Sequence, residues 1–553
     1  MNYVSGNFKT SIFAALTVLI TSLTACHSSP QPLATVTQPP SDPIATTQPS
    51  ASSTPIPPTT TPRPTPALRP DSKVIKSPNW FDEAVIYEIF PRSFYDTDND
   101  GIGDLNGVQQ KLDYIQALGA DTIWLTPFYP STTYHGYDVT DYFKVNSQFG
   151  TLDNFKALTT ELKRRNMHLI VDFVANHSSD SHPFFKAAYK NPASRYSQWY
   201  HFRDKQNTVY DSFFGVPNLP DWNTDNPDVR EYLINSAQFW LDLGADGLRC
   251  DYALGVEAPF WAELRSKVKA KHPNAVILGE VWDGGALTLK RYFEAGFDAL
   301  FDFPWYLTLT GNPDRNGDGV LNGKQPATLL QSPYRLIQRA YPSGAQLVRF
   351  SSNHDTNRIA SDSLGDLRRM KLAATSALLT PGVPMIYYGE EIGMRGNKGE
   401  GPVYDELRRE PMDWYANENG TGMTHWFKPT NRNNAPNDGV SVQEQEGKPD
   451  SLLSFYRRLA QLRAQYPSLR SNDFSVIENV GDCDQCLGLW RYAAGEATLL
   501  IFNFGEAAQK IPFDLTSASV PAQSKPKAVL GALATDLSQL PLEPWGMLVV
   551  VWK

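Results

Sequence analysis

The stretch GADGLRCDYA, Gly244 to Ala253, reads as a short buried strand, yet Arg249 and Asp251 stand two residues apart in it. Alternate strand residues share a face, so a guanidinium and a carboxylate are buried side by side. That arrangement is costly unless the pair has a use. Similar polar groups end other apolar runs. HLIVDFVANH finishes in Asp172, Asn176 and His177, AVILGEVWDG reaches Glu280, and LVRFSSNHD carries His354 and Asp355. Carboxylates gathered in one pocket repel one another, so a fold shaped by stability alone would keep them apart. Glycoside hydrolysis uses them together: one attacks or stabilises an oxocarbenium-like carbon while another donates a proton to the leaving oxygen.

Elements must bring these residues together. From about Pro78 onward, eight β-branched or aromatic runs alternate with amphipathic stretches such as TLDNFKALTTELKRRN and DLRRMKLAATSALLT. Eight alternations predict a closed (β/α)8 TIM barrel, an α/β fold whose active face lies at the C-terminal strand ends. An open doubly wound sheet is the competitor, but its Gly-rich phosphate fingerprint does not follow the first run. The barrel, domain A, is expected over residues 78–470. A turn- and aromatic-rich insert follows the third strand at about 177–223, long enough to be a small domain. After about Tyr466 the helical period stops, and short strands predict an antiparallel β domain over 471–553.

The net charge of −9, with no long basic run, argues against nucleic acid as a partner. Residues 1–25 read as a signal peptide, with an apolar run too short to span a bilayer comfortably. They lead into LTAC, which resembles a bacterial lipobox with Cys26 as the lipidated residue; a plain secretory signal is the alternative. Residues 26–77 are rich in Pro, Thr and Ser and predict a disordered tether. The expectation is an exported protein held to a membrane, at the cell surface or in the periplasm, by its N-terminal lipid only. Cys483 and Cys486, in CDQC, are a possible disulfide in that compartment; zinc would need further ligands, and no His lies nearby.

DTDNDGIGD sets Asp96, Asp98 and Asp100 at alternate positions, followed by Gly101 and Asp104. Hard carboxylate oxygens at that spacing resemble the start of a calcium loop, although the twelfth position is Gly107, not the Glu of an EF-hand. A solvated acidic turn is the plainer reading. DRNGDG, from Asp314, is a weaker second run.

DFVANH, GLRCD, GEVWD and SSNHD, in that order, resemble the four signature segments of the α-amylase family of glycoside hydrolases. LPDWN and GVPMIYYGEE resemble two further family segments. The resemblance implies that Asp251 is the nucleophile, Glu280 the general acid/base, and Asp355 the transition-state stabiliser. It implies that Arg249 keeps the nucleophile ionised, and that His177, His354, His135, Tyr137, Asp138, Arg358 and Trp222 bind substrate. The insert would be domain B and the tail domain C. In members resembling oligo-1,6-glucosidase, a Ca²⁺ loop would take Asp96, Asp98, Asp100, Asp104 and the Ile102 carbonyl.

Leu254 and Gly255 stand where relatives often carry Lys-His, which places acceptor contacts and a calcium site at Asn176 in question. Tyr134 replaces an Asp usual in exo-acting members and implies an open cleft. The implied activity is retaining hydrolysis of α-1,4-glucosidic bonds in starch, glycogen or maltooligosaccharides. An α-glucosidase, a cyclomaltodextrinase or neopullulanase-type hydrolase, or a transglycosylase is the alternative; a non-catalytic glycan-binding lipoprotein is a third reading.

Overall fold

The computed structural model describes residues 77–283, 285–311, 317–400, 404–427, 433–512, 519–533 and 538–553. The signal segment, Cys26, the tether through residue 76 and Asp314 lie outside the described residues.

Eight short strands close in chain order into a parallel barrel: β1 (Ile86–Ile89), β2 (Thr122–Leu125), β3 (His168–Val174), β4 (Gly247–Asp251), β5 (Val276–Gly279), β6 (Ala299–Phe301), β7 (Gln346–Arg349) and β8 (Val383–Tyr387). Apart from the half-buried His168 that opens β3, every residue in them is buried, as expected of parallel strands covered on both faces. The covering helices start where their sequences provide caps. Helix α1 (Leu152–Arg164) begins in a reciprocal box between Thr151 and Asn154, and buries Phe155, Leu158 and Leu162 along one face. Helix α2 (Pro227–Asp242) has Asn226 as its cap and Pro227 in its first turn. Helix α3 (Leu367–Leu379) is capped by Asp366.

Trp124, Ile170, Val276, Leu278, Val348 and Met385 fill the barrel interior. Above that apolar layer the inward positions turn polar. Parallel register sets Asp172 beside Arg249 and Val174 beside Asp251, while Glu88 pairs with Trp124 on one side and Tyr387 on the other. Strand pairing alone therefore delivers Glu88, Asp172, Arg249 and Asp251 to the same end.

The excursion after β3 is tied at its base by the bridge His177–Asp221 and laced further out by Tyr200–Trp222, Phe202–Tyr210 and Ser212–Pro220. Aromatic packing holds it: Tyr200 stacks on Trp222 with ring centres 4.6 Å apart. The tail forms a five-stranded antiparallel sheet of β9 (Asp473–Ile477), β10 (Cys486–Ala493), β11 (Glu496–Asn503), β13 (Pro526–Leu530) and β15 (Met547–Trp552). A separate pair, β12 (Gln509–Pro512) with β14 (Gln539–Leu542), was not expected. QKIP and QLPL expose alternate residues and carry Pro, so they lack the apolar run that marks the other strands. Arg491 of β10 is wholly buried and donates to the carbonyls of Leu379 and Ser471, pinning the tail to the end of α3. Cys483 and Cys486 are joined as a disulfide, and Cys250 is buried and free.

Candidate active site

Arg249 is fully buried at the end of β4. Its Nη1 lies 2.8 Å from Asp251 and 3.0 Å from Asp172, and its Nη2 lies 2.8 Å from Glu280. The guanidinium also sits over the Trp124 ring at 5.0 Å. Burial pushes the Asp251 carboxyl up, and the nearby Glu280, Asp172 and Asp355 push the same way; Arg249 is the counterweight. Burial likewise raises Asp172 to about 6 against the pull of Arg249. Glu280 also accepts the Tyr252 backbone N–H at 2.9 Å. Tyr252 reaches that position in the left-handed region, φ +38°, a costly conformation for a bulky side chain.

A second group forms around His354. Its Nδ1 is 2.5 Å from Glu88, and its Nε2 is 2.6 Å from the Tyr137 hydroxyl and 3.0 Å from Asp355. Burial alone would lower the His354 pKa, but Asp355 and Glu88 outweigh it and raise it to about 10. Asp355 keeps 45% of its side chain exposed. Desolvation pushes its carboxyl up, yet His354 and then Arg409, 2.8 Å away, hold it well below the usual range. The other two histidines are opposite in character. Burial lowers His177 to about 3 and His135 to about 4, and the Arg409 cation adds to the fall at His135, so both are neutral at pH 7. The His177 Nε2 is buried without a hydrogen-bond partner among the described residues. Neutral imidazoles beside ionised carboxylates can donate to or accept from sugar hydroxyls.

Of the expected site residues, Asp251, Glu280, Asp355, Arg249, His354 and Tyr137 come together directly, and His135 lies beside Tyr137, whose backbone N–H its Nδ1 accepts. Three others do not meet the expectation. Asp138 is wholly buried and accepts from the hydroxyls of Ser131, Thr132 and Thr133, so it braces the turn that carries His135 and Tyr137. Arg358 is wholly buried over the rings of Tyr387 and Tyr388 and donates its Nε and Nη1 to the carbonyls of Arg408 and Tyr388, so its bonds among the described residues go to the backbone. Trp222 is 2% exposed, stacks on Tyr200 and donates to Tyr142, so it belongs to the core of the excursion. Tyr134, half-buried, stacks on Trp426.

Glu88 and Arg409 were missed. Glu88 is a lone carboxylate in an apolar strand, the same signal that marked Arg249. Arg409 follows β8 in an irregular stretch without periodicity, so residue type alone could not place it against Asp355.

In the acidic loop, carboxylate oxygens of Asp96, Asp98 and Asp104 lie within 4.8 Å of one another. Asp100 lies outside that group and is exposed, with its Oδ1 accepting the Ile102 N–H. The loop is pre-shaped: Asp96 accepts from the N–H groups of Asp98, Asn99 and Gly101, which turns the chain around its carboxylate. Three converging hard oxygens fit a Ca²⁺ ion. At Asn176, the side chain donates to Asp221 at 2.8 Å, which ties the stem of the excursion together.

Residues 88–472 match the family model for the alpha-amylase catalytic domain. The chain is 31% identical over 492 residues to "Alpha-amylase 3" of Dictyoglomus thermophilum, covering 84% of this chain and 94% of that one. It is 33% identical over 482 residues to "Neopullulanase 2" of Thermoactinomyces vulgaris, covering 80% and 75%. Among solved structures, Eubacterium rectale Amy13B superposes with a TM-score of 0.75 at 30% identity, covering 87% of this chain and 97% of the other. With its barrel, its strand-end carboxylates and these relatives, the chain belongs to the alpha-amylase family of glycoside hydrolases.

Proposed function

We propose that the protein hydrolyses α-1,4-glucosidic bonds of starch, glycogen or maltooligosaccharides with retention of configuration. The single guanidinium of Arg249 shared between Asp251 and Glu280 carries this reading. It gathers on one group the pair of carboxylates that a double displacement uses as nucleophile and acid. Asp251 attacks the anomeric carbon as the bond to the leaving oxygen breaks, and Glu280 gives that oxygen its proton. Water then attacks the glycosyl-enzyme, Glu280 takes the water's proton, and Asp251 departs. Asp355, held ionised by His354 and Arg409, faces the positive charge that develops at the anomeric carbon in the transition state of each step. The presence of all three carboxylates favours an enzyme over a glycan-binding relative. Relatives named as alpha-amylase and neopullulanase support α-glucans as the substrate class.

Calcium and membrane attachment belong to the same proposal. Asp96, Asp98 and Asp104 would hold Ca²⁺, which when bound neutralises their mutual repulsion and stiffens the loop after β1. Export as a lipoprotein rests on the apolar segment and LTAC ending at Cys26.

Asp251→Asn and Glu280→Gln should each lower kcat by several orders of magnitude while the thermal unfolding profile is kept, because both act in the transition state. Early product observed by NMR should be the α anomer; initial β anomer would exclude double displacement. Glu88→Gln tests the charge on His354. The imidazolium persists until pH rises through about 10. Removing the Glu88 charge lowers that pKa, so the alkaline limb of kcat should move to lower pH, with a loss of about tenfold at the optimum. An alkaline limb left at its original position would show that Glu88 does not set this charge.

Chelation should lower the unfolding temperature, since an ion bound only by the folded state stabilises it by linkage. Asp98→Ala should remove most of that response; an undiminished response would place the ion elsewhere. For the anchor, Cys26→Ala should move the exported protein from the membrane to the soluble fraction, and continued membrane fractionation would refute lipidation at that residue.

A further inference from the structure

Glu390 opens the short turn Glu390–Ile392 that follows β8, and only 2% of it is exposed. Both of its carboxylate oxygens are engaged. Oε1 accepts from the Ser351 hydroxyl at 2.8 Å and from the Tyr456 hydroxyl at 2.9 Å, and Oε2 accepts from the Ser352 hydroxyl. All three partners are neutral hydroxyls rather than cations. A buried carboxylate supported in that way is costly to desolvate, so what it connects bears on why it is there.

The three hydroxyls come from two elements. Ser351 and Ser352 are wholly buried just beyond the end of β7, and the chain runs on from them through Asn353 to His354 and Asp355. Tyr456 stands on helix α4 (Leu452–Gln465), which packs against α3 on the outside of the barrel. Glu390 is therefore a junction between the covering helices and the loop that presents Asp355. Glu88 and Arg409 engage the side chains of His354 and Asp355 themselves, whereas Glu390 fixes the segment from which they project. The next residue, Glu391, bonds elsewhere: it accepts from Tyr87 of β1 and from Tyr114, with Arg358 as a counterweight to its burial.

We propose that Glu390 is a positioning residue, which locks Ser351 and Ser352 to α4 and so holds Asp355 in line with the anomeric carbon. It touches no reacting atom, and the inference rests on the hydrolase reading above. A carboxylate can accept from all three hydroxyls at once. Once protonated it donates through its own O–H, so one of the three must turn round and the junction slackens. Burial pushes the Glu390 carboxyl up to about 7 against the pull of Ser352, Ser351 and Tyr456, and Glu391 adds to the rise. Tyr456 and Glu391 are the titratable groups acting on it, and the end of β7 adds only the two neutral serines. The junction is thus complete above neutrality and loosens as pH falls. A small displacement of Asp355 costs turnover more than binding, because its charge is used in the transition state.

Hydrolysis of maltoheptaose, resolved into kcat and KM across a pH series, tests this on the unaltered chain, Glu390→Gln and Tyr456→Phe. In the unaltered chain kcat should fall as pH drops through about 7. Glu390→Gln keeps the volume but cannot change charge. It should lower kcat about tenfold above neutrality, leave KM within about twofold, and lose that acid limb. Tyr456→Phe removes one hydroxyl on α4 and should move the acid limb to higher pH, since a carboxylate with fewer donors protonates more readily. If Glu390→Gln does not fold, that shift alone decides. An acid limb that stays in place in Tyr456→Phe, or persists in Glu390→Gln, would overturn the inference and leave Glu390 a purely structural junction. No reducing sugar from the unaltered chain at any pH would instead strike the hydrolase reading, and this inference with it.

Discussion

Arg249 is enclosed at the end of β4 with carboxylates from β3, from β4 and from the residue just after β5 on its two terminal nitrogens. Desolvating such a cluster costs several kcal/mol per ion on the order-of-magnitude scale of buried pairs, and an apolar packing of similar volume would often be as stable. The arrangement therefore makes sense through its chemistry. It opposes protonation of Asp251 in a site where burial and like charges together hold that carboxyl well above its ordinary range. Removing the guanidinium would leave Asp172, Asp251 and Glu280 facing one another without their shared counterion. Much else at this end of the barrel follows from accommodating it, from the parallel register that sets Asp172 beside Arg249 to the Trp124 ring beneath the guanidinium.

Charge is then sorted over a few ångströms. Five carboxylates, Glu88, Asp172, Asp251, Glu280 and Asp355, are set against the cations Arg249, Arg409 and His354. His354 becomes cationic because carboxylates meet both of its ring nitrogens, whereas His135 and His177, buried without such partners, stay neutral. One residue type thus takes two roles by environment alone. The charged ring fixes Asp355, and the neutral rings remain available to hydroxyls.

The barrel was legible because parallel strands buried on both faces leave apolar runs that polar groups interrupt visibly. Arg249, Asp251, Glu280 and Asp355 were such interruptions, and the structure brings them together. Glu88 gave the same signal, but a lone carboxylate among apolar residues carries little weight without a partner two residues away. Trp222 and Arg358 failed for the converse reason. Residue type tells that a side chain can stack or pair, not whether it does so with substrate or with the core, and both spend their contacts inward. Asp138 looked like part of a binding segment and is the brace behind it. Arg409 was illegible, since it approaches Asp355 from a segment with no period.

The turn after β4 leaves no room for a side chain at Gly255. A Cβ at Gly255 would lie 2.0 Å from the Asn176 side-chain oxygen and 2.5 Å from the Tyr252 ring. Neither neighbour is free to retreat. Asn176 is held by its hydrogen bond to Asp221 at the base of the excursion, and Tyr252 is fixed by the left-handed turn that presents its N–H to Glu280. A side chain at 255 would push on the stem of the excursion through one contact and, through Tyr252, on Glu280 through the other. The glycine is thus the local condition for packing the excursion tightly against the β4 turn. That close packing brings Phe213 and Phe214 onto Tyr252, so the missing side chain and the aromatic rim are two consequences of one contact.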